Sequence, residues 1–272
     1  MSKSNGDLFI QYGSGSYIYL PRYVKTFRKV EADTIKYLDG INAQEIMLPK
    51  LLHNENVESL KCCDYRFEEE WNKEQLLVTN SRNENVGLLA HWQCEPIYLY
   101  LSEIFDNVSG DQDLRIVFDN SGYSYRLEEN NDIYRPNEFR RVEVFFHGNI
   151  LSVRRAIHNI LDFFVKYLEG FDAIRLQRPE ESFGGKEEVE DVAVLISGKE
   201  IEVIGSHIHF DTFSSISTAK LDKRVVTACC GISLSRLSSI ITINGTTANK
   251  ENSLGRQKAP LVPRSAFAAG DF

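Results

Sequence analysis

Hydrophobic positions fall at helical spacing in two long stretches and alternate along much of the rest of the chain. Between Arg22 and Tyr37 the apolar and aromatic residues are Tyr23, Val24, Phe27, Val30, Ile35 and Tyr37, a pattern that predicts an amphipathic helix stopped at Gly40. Between Ile150 and Leu168 they are Val153, Ile157, Ile160, Leu161, Phe164, Val165 and Leu168, and Gly170 ends this stronger stripe. Pro96 to Phe105 predicts a shorter helix. Strands are predicted at Tyr17 to Leu20, closed by Pro21, and at Ala43 to Pro49. Two more, Gln75 to Val78 and Val86 to Ala90, flank a polar turn, and Leu114 to Asp119 alternates strictly. Tyr123 to Glu128 and Glu138 to Phe146 read as antiparallel strands around a loop holding Asn130, Asn131, Asp132 and Pro136. Asp191 to Ile196 and Lys199 to Ile208 form a hairpin at Ser197-Gly198, and the strand Val225 to Cys230 leads into a helix after Gly231. Strands outnumber helices and mostly succeed one another, without internal repeats. The expectation is one α+β domain, an antiparallel sheet flanked by helices.

Composition narrows the class without naming it. The chain has 272 residues, 42% hydrophobic and 26% charged, as in a soluble globular protein. No apolar run reaches the roughly 20 residues of a membrane span, and the polar start, Met1 to Asp7, is no secretory signal. Cys62, Cys63, Cys94, Cys229 and Cys230 include two vicinal pairs, poor geometry for bridging, so reduced thiols and a cytoplasmic location are expected. The net charge of −8, with no basic run longer than Arg140-Arg141 or Arg154-Arg155, disfavours nucleic acid as the main partner. Gly255 to Phe272 loses periodicity and contains Leu261-Val262-Pro263-Arg264, which looks like a thrombin cleavage sequence; it reads as an appended tag.

Two arginine-bearing segments carry the chemistry. In the first, Arg126 and Glu128 share one strand face, and Phe139, Arg141 and Glu143 share a face of the return strand beyond Arg135. In the second, Cys229-Cys230-Gly231-Ile232-Ser233-Leu234-Ser235-Arg236 turns from strand into helix and sets one guanidinium at the sheet's mouth. Each alone is also what a surface ion pair or a core phenylalanine supplies. Together they resemble motifs 2 and 3 of the class II aminoacyl-tRNA synthetase catalytic core. The helix and strand from Arg22 to Pro49 are similar to motif 1, which in that family builds a homodimer interface. The resemblance implies catalytic roles for Arg126, on the α-phosphate of ATP, and for Arg236, on the γ-phosphate. It implies that Glu128 takes the adenine amino group, Phe139 stacks on the base, and Glu202 holds Mg²⁺.

Cys94, Glu143 and Cys229 resemble the zinc ligands of archaeal-type seryl-tRNA synthetases and of the related amino acid:carrier-protein ligases. Two thiolates and a carboxylate suit Zn²⁺, whose fourth position would take the substrate's α-amino group. Only one of Cys229 and Cys230 can face the site from a strand, and the resemblance selects Cys229. The segment His207-Ile208-His209-Phe210-Asp211-Thr212-Phe213 is similar to a segment of the ligases, with His207 in place of an asparagine and Thr212 in place of a second histidine. His207, His209 and Asp211 then form a hydrogen-bonded wall of the site. Core-like sequence starts near Tyr17, which leaves residues 1–16 as an extension and 17–250 as the catalytic domain, without the tRNA-binding extension of the synthetases. The implied function is ATP-dependent activation of a small amino acid and transfer to the phosphopantetheine thiol of an acidic carrier protein, docked on Arg155 and Lys166. A tRNA-charging enzyme and a catalytically inactive paralogue are the alternatives; Ser233, in place of the second glycine of motif 3, and the lack of the family's usual C-terminal Trp-Pro segment favour the last, while Ser235 stands where that motif has an acidic residue.

Overall fold

In the computed structural model, which describes residues 7–54, 76–90, 97, 100–107, 113–127, 132–178, 188–210 and 225–251, the alternating stretches assemble into one seven-stranded sheet. In chain order its strands are β3 (Gln44–Ile46), β7 (Leu114–Asp119), β10 (Val142–Asn149), β11 (Ala173–Arg178), β12 (Glu188–Ile196), β13 (Lys199–Phe210) and β14 (Val225–Ile232). They lie side by side as β11-β12-β13-β14-β10-β7-β3, antiparallel throughout except for the parallel pair β3–β7. Small sheets flank it: β1 (Phe9–Gly13) with β2 (Ser16–Tyr19); β4 (Leu51–His53), β6 (Asn85–Leu89) and β5 (Leu77–Thr79); and β8 (Tyr123–Tyr125) with β9 (Glu138–Arg140). The helices are α1 (Pro21–Gly40), α2 (Leu101–Asp106), α3 (Ile150–Tyr167) and α4 (Leu234–Glu251). None of the described helices is long and apolar enough to cross a membrane.

The period-two pattern divides the sheet into two faces. Val142, Val144 and Phe146 of β10, with Ala228, Cys230 and Ile232 of β14, join the main core. Against them α3 lays Val153, Ile157, Ile160, Leu161 and Phe164, all buried. Each such side chain contributes about 1.5–3 kcal/mol relative to exposure. Asn149 starts α3 by accepting the Leu151 N–H at 2.9 Å, and Gly170, at φ 100°, lies just past its end. The alternate residues Phe145 and Cys229 turn to the opposite face and pack with Val117, Leu101 and Phe105. That second face carries the candidate site. α1 and α4 pack together, tied by the Tyr23 hydroxyl, which donates to the Ser235 carbonyl at 3.0 Å.

The sheet, the α3 helix and the hairpin at Ser197-Gly198 follow the sequence pattern. Ser197 and Gly198 take φ 50° and 78°, the left-handed pair that a two-residue hairpin turn needs. Other elements differ. Gly40 is the last residue of α1, but the left-handed turn falls on Asn42, at φ 58°. Phe9–Gly13 forms a hairpin with β2, and Ala173–Arg178 forms the sheet's edge strand; neither was expected, because neither alternates cleanly. The strand expected from Ala43 to Pro49 shortens to three paired residues, since β3 borders only the end of β7. The expected helix from Pro96 overlaps α2, but residues 91–96, 98 and 99 lie outside the described ones, as do Gln75 and the tail from Gly255.

Phe146 is fully buried between the sheet and α3. Phe146→Ala should lower stability by about 3–5 kcal/mol in urea unfolding, while the exposed Arg155→Ala should change it by under about 0.5 kcal/mol.

Candidate active site

The open face of the sheet carries a transverse row of acids and glycines. Asp119, Glu143, Gly231, Gly205 and Asp191 are successive register partners across β7, β10, β14, β13 and β12. Gly231 makes room for Glu143, whereas a side chain at Gly205 would only reach ordinary contact. A Cβ at Gly231 would lie 3.2 Å from Glu143 Oε2, and one at Gly205 would lie 3.4 Å from both Asp191 Oδ1 and Glu202 Oε1. All three acids in the row are buried. A buried carboxylate needs a cation or hydrogen bonds, or it protonates. Asp119 is paired with the Lys50 ammonium and accepts the Ser121 N–H at 2.9 Å. Asp191 accepts from Arg178 Nε at 2.6 Å, yet burial, helped by neighbouring Glu202, pushes its pKa up to about 6. Burial also pushes Glu143 up, against the opposing pull of Arg141, of His207 and of a hydrogen bond from Cys229.

Gly231 also borders a cleft of about 200 Å³. Its other lining residues come from several elements: Arg126 just past β8, Arg135 in the following loop, Phe139 on β9, Arg141 between β9 and β10, Glu202 on β13, Ser233 before α4 and Arg236 in its first turn. The Arg126 guanidinium sits 5.5 Å from the centre of the Phe139 ring. Arg236 is fixed at the mouth, its Nε donating to the Tyr134 carbonyl and its Nη1 to the Glu202 carbonyl, both at 3.0 Å. Four guanidiniums face one carboxylate here, so the cleft favours a ligand bearing several negative charges. The first turn of α4 adds the positive end of a helix dipole.

Arg141 differs from the other three. Its Nε touches Glu143 Oε2 at 2.9 Å, and their side chains are 12% and 3% exposed. The two are not aligned for a hydrogen bond: Arg141 Nε and Nη2 and Glu143 Oε2 are all buried without a hydrogen-bond partner. The adjacent Arg140 points elsewhere. Its Nη2 donates to Glu31 Oε1 at 2.8 Å and to the Asn120 carbonyl at 3.0 Å, tying β9 to α1.

The structure brings Arg126, Phe139, Glu202 and Arg236 together around one cleft. Glu143 and Cys229 lie on the same sheet face and are hydrogen-bonded, whereas Cys230 joins the core under α3. Glu128, Cys94, Asp211 and Thr212 lie outside the described residues. The ring of fully buried His209 stacks on that of His207 at 6.1 Å, and His207 pairs in register with Cys229. Ser233 Oγ accepts the Arg236 N–H at 3.4 Å, as a helix N-cap does, and Ser235 Oγ accepts the Arg140 N–H at 2.9 Å. Arg135 and Arg141 were given no role from sequence. For Arg141 the signal was present, since it alternates with Phe139 and Glu143; Arg135 sits in a loop, where alternation says nothing.

No protein family's sequence profile matches this chain, and no curated protein matches it. Solved structures do. The chain is similar to M. kandleri seryl-tRNA synthetase in its crystal structure with A. aeolicus tRNASec, with a TM-score of 0.67 and 17% sequence identity over 98% of this chain. It spans 60% of the length of that synthetase chain. The fold is therefore that of a class II aminoacyl-tRNA synthetase core.

Asp191 offers a test of the electrostatics of the row. Its folded pKa of about 6 lies above the usual 3.8, so its protonated form favours folding. That contribution is complete below about pH 4 and is lost as pH rises through about 6. A carboxyl NMR titration should find a midpoint near 6 for Asp191. Between pH 4 and 7, wild type should lose stability relative to Asp191→Asn, by on the order of 3 kcal/mol; a pH-independent difference would show that Asp191 stays ionised.

Proposed function

We propose that this chain activates a small amino acid with ATP and passes the acyl group to the phosphopantetheine thiol of a carrier protein. The convergence of Arg126, Arg135, Arg141 and Arg236 with Phe139 on one cleft carries this reading. A nucleoside triphosphate needs cations along its phosphates and a flat apolar surface under its base. Arg126 takes the α-phosphate, Arg236 holds the γ-phosphate from the far side, Phe139 lies beneath adenine and Glu128 accepts its amino group. Glu202 is the carboxylate suited to Mg²⁺ beside the phosphates. The amino acid's carboxylate oxygen attacks the α-phosphorus and pyrophosphate leaves. The carrier's thiolate then attacks the acyl carbon and AMP leaves. Position and charge stabilisation supply the catalysis, and no side chain acts as nucleophile.

The residues on the floor fit the zinc that the resemblance implies. Glu143 has a buried oxygen without a hydrogen-bond partner, and Cys229 is hydrogen-bonded to the same carboxylate. Cys94 would be the third ligand; among the described residues no three potential ligands converge. When bound, zinc would hold the substrate's amino group at its open position. The acceptor would dock on the exposed side of α3, where Arg155 and Lys166 face solvent and Arg154 is instead paired with Glu188 at 2.7 Å. A homodimer through α1 and β3 in the cytoplasm completes the proposal. A second reading, aminoacylation of tRNA, is favoured by the tRNA-bound state of the structural neighbour.

Amino-acid-dependent exchange of pyrophosphate into ATP, tried with each standard amino acid, tests the first step. Arg126→Ala and Arg236→Ala should each lower exchange about 100- to 1,000-fold while the fold persists, and wild-type exchange in either removes the assignment. Metal analysis should give about one zinc per chain, lost on Cys94→Ser and on Cys229→Ser; full zinc in both variants refutes the site. Changing Arg155 and Lys166 together to Glu should slow transfer to an acidic carrier protein and leave exchange intact. Charging of tRNA instead would decide for the second reading.

A further inference from the structure

We infer that Asn137 is a positioning residue for the ATP cleft, through which the tip of the β1–β2 hairpin fixes Arg126 and the loop that carries Arg135. The inference rests on the ATP-binding reading and names what holds that site in shape. The main-chain N–H of Asn137 donates to the Gly15 carbonyl at 2.8 Å, and its side-chain Nδ2 donates to the Ser14 carbonyl at 2.9 Å. The Asn137 carbonyl in turn accepts the Arg126 N–H at 2.8 Å. One residue therefore joins the hairpin tip to the backbone of an arginine that lines the cleft. Its neighbours cannot do this. The Arg135 N–H is used on Asp132, and Pro136 has no N–H.

Arg135 lies between two anchors. On one side α4 holds the loop: Ser239 Oγ donates to the Ile133 carbonyl at 3.3 Å, and Arg236 Nε to the Tyr134 carbonyl at 3.0 Å. On the other side stands the hairpin, which is itself well held. Phe9 is buried and meets Tyr17 edge-on at 5.4 Å, and Tyr19 stacks on Tyr23 of α1 at 4.3 Å. Gly15 turns the tip at φ 65°, a conformation that glycine adopts without strain. Core-like pattern starts near Tyr17, so Ser14 and Gly15 would count as an extension; their carbonyls instead meet the loop of the cleft. A cleft that gathers several phosphate charges gains from guanidiniums fixed beforehand, since ordering them on binding would cost affinity.

The test reads ATP and the amino acid separately. Pyrophosphate exchange is measured against ATP and against the best amino acid for wild type, Asn137→Ala, Asn137→Asp, Gly15→Val and the Asn137→Asp, Gly15→Val double variant. Asn137→Asp sets a carboxylate against a carbonyl in place of a donor, and Gly15→Val puts a β-branched residue at positive φ. Each should raise the KM for ATP about 3- to 10-fold and leave the amino-acid KM within about 2-fold. Asn137→Ala, which only loses the side-chain bond, should lose less than Asn137→Asp. The double variant should lose no more than the worse single one, because both break the same junction. Amide hydrogen exchange needs no ATP: in Asn137→Asp and in Gly15→Val the Arg126 amide should exchange about 10 times faster, with the amides of β10 unchanged. An unchanged ATP KM in Asn137→Asp, equal losses for ATP and the amino acid, or losses that multiply in the double variant overturn the role of Asn137. Wild type that shows no exchange of pyrophosphate with any amino acid overturns the adenylation reading. The Arg126 amide then decides the junction by itself, an unaltered rate in both variants overturning it.

Discussion

The structure depends on neutralising carboxylates that a β-sheet has taken out of water. Asp119, Glu143 and Asp191 stand in one line across β7, β10 and β12, and each is matched by a cation: Lys50, Arg141 and Arg178. Ion pairs at this depth contribute little net stability, since desolvation offsets the attraction. A core of apolar residues would hold the sheet at least as well. What the charges supply is position. They require the strands to meet in one register, because a one-residue slip would move every acid to the α3 side. Gly231 is part of the same constraint, since a side chain there would press on the Glu143 carboxylate.

That constraint explains which parts of the site were legible in the sequence. On a strand, alternation assigns faces directly, so Phe139, Arg141 and Glu143 could be set on one side and Cys229 separated from Cys230. The structure places Cys230 under α3 and Cys229 beside Glu143. The neutralising partners were less legible. Lys50 reaches Asp119 only because β3 runs parallel to β7, with Ile46 opposite Asp119, and local pattern does not encode a parallel pairing between distant segments. Arg178 lies on an edge strand that the pattern missed. The end of α1 was legible, since Gly40 is its last residue. The left-handed residue that follows, Asn42, was not, although asparagine tolerates that conformation.

The turn into α4 shows how a departure from a resembled pattern can serve structure. Ser233, where a glycine was expected from the resemblance, suggested crowding of the nucleotide, and Ser235 stands where an acid was expected. Ser233 directs its hydroxyl to the Arg236 N–H at the start of α4. Ser235 directs its own to the Arg140 N–H, binding the helix to β9. Both hydroxyls are engaged by backbone, so the helix that carries Arg236 is fixed at its first turn from two sides. Arg236 is then aimed by the Tyr134 and Glu202 carbonyls.

Arg140 and Arg141 carry this division of labour furthest. They are adjacent and bear the same charge, but the break between β9 and β10 sends them opposite ways. Arg140 spends its donors on Glu31 and Asn120 and joins the sheet to α1. Arg141 reaches the floor and is left with donors unused. The first cation is held by three hydrogen bonds from Nη2, with only its Nε left over, and its replacement would be read in stability. The second is incompletely satisfied by the fold, and a site built around such a group is completed by what it binds. The pair thus separates, within two residues, a cation tied to α1 from a cation that lines the cleft.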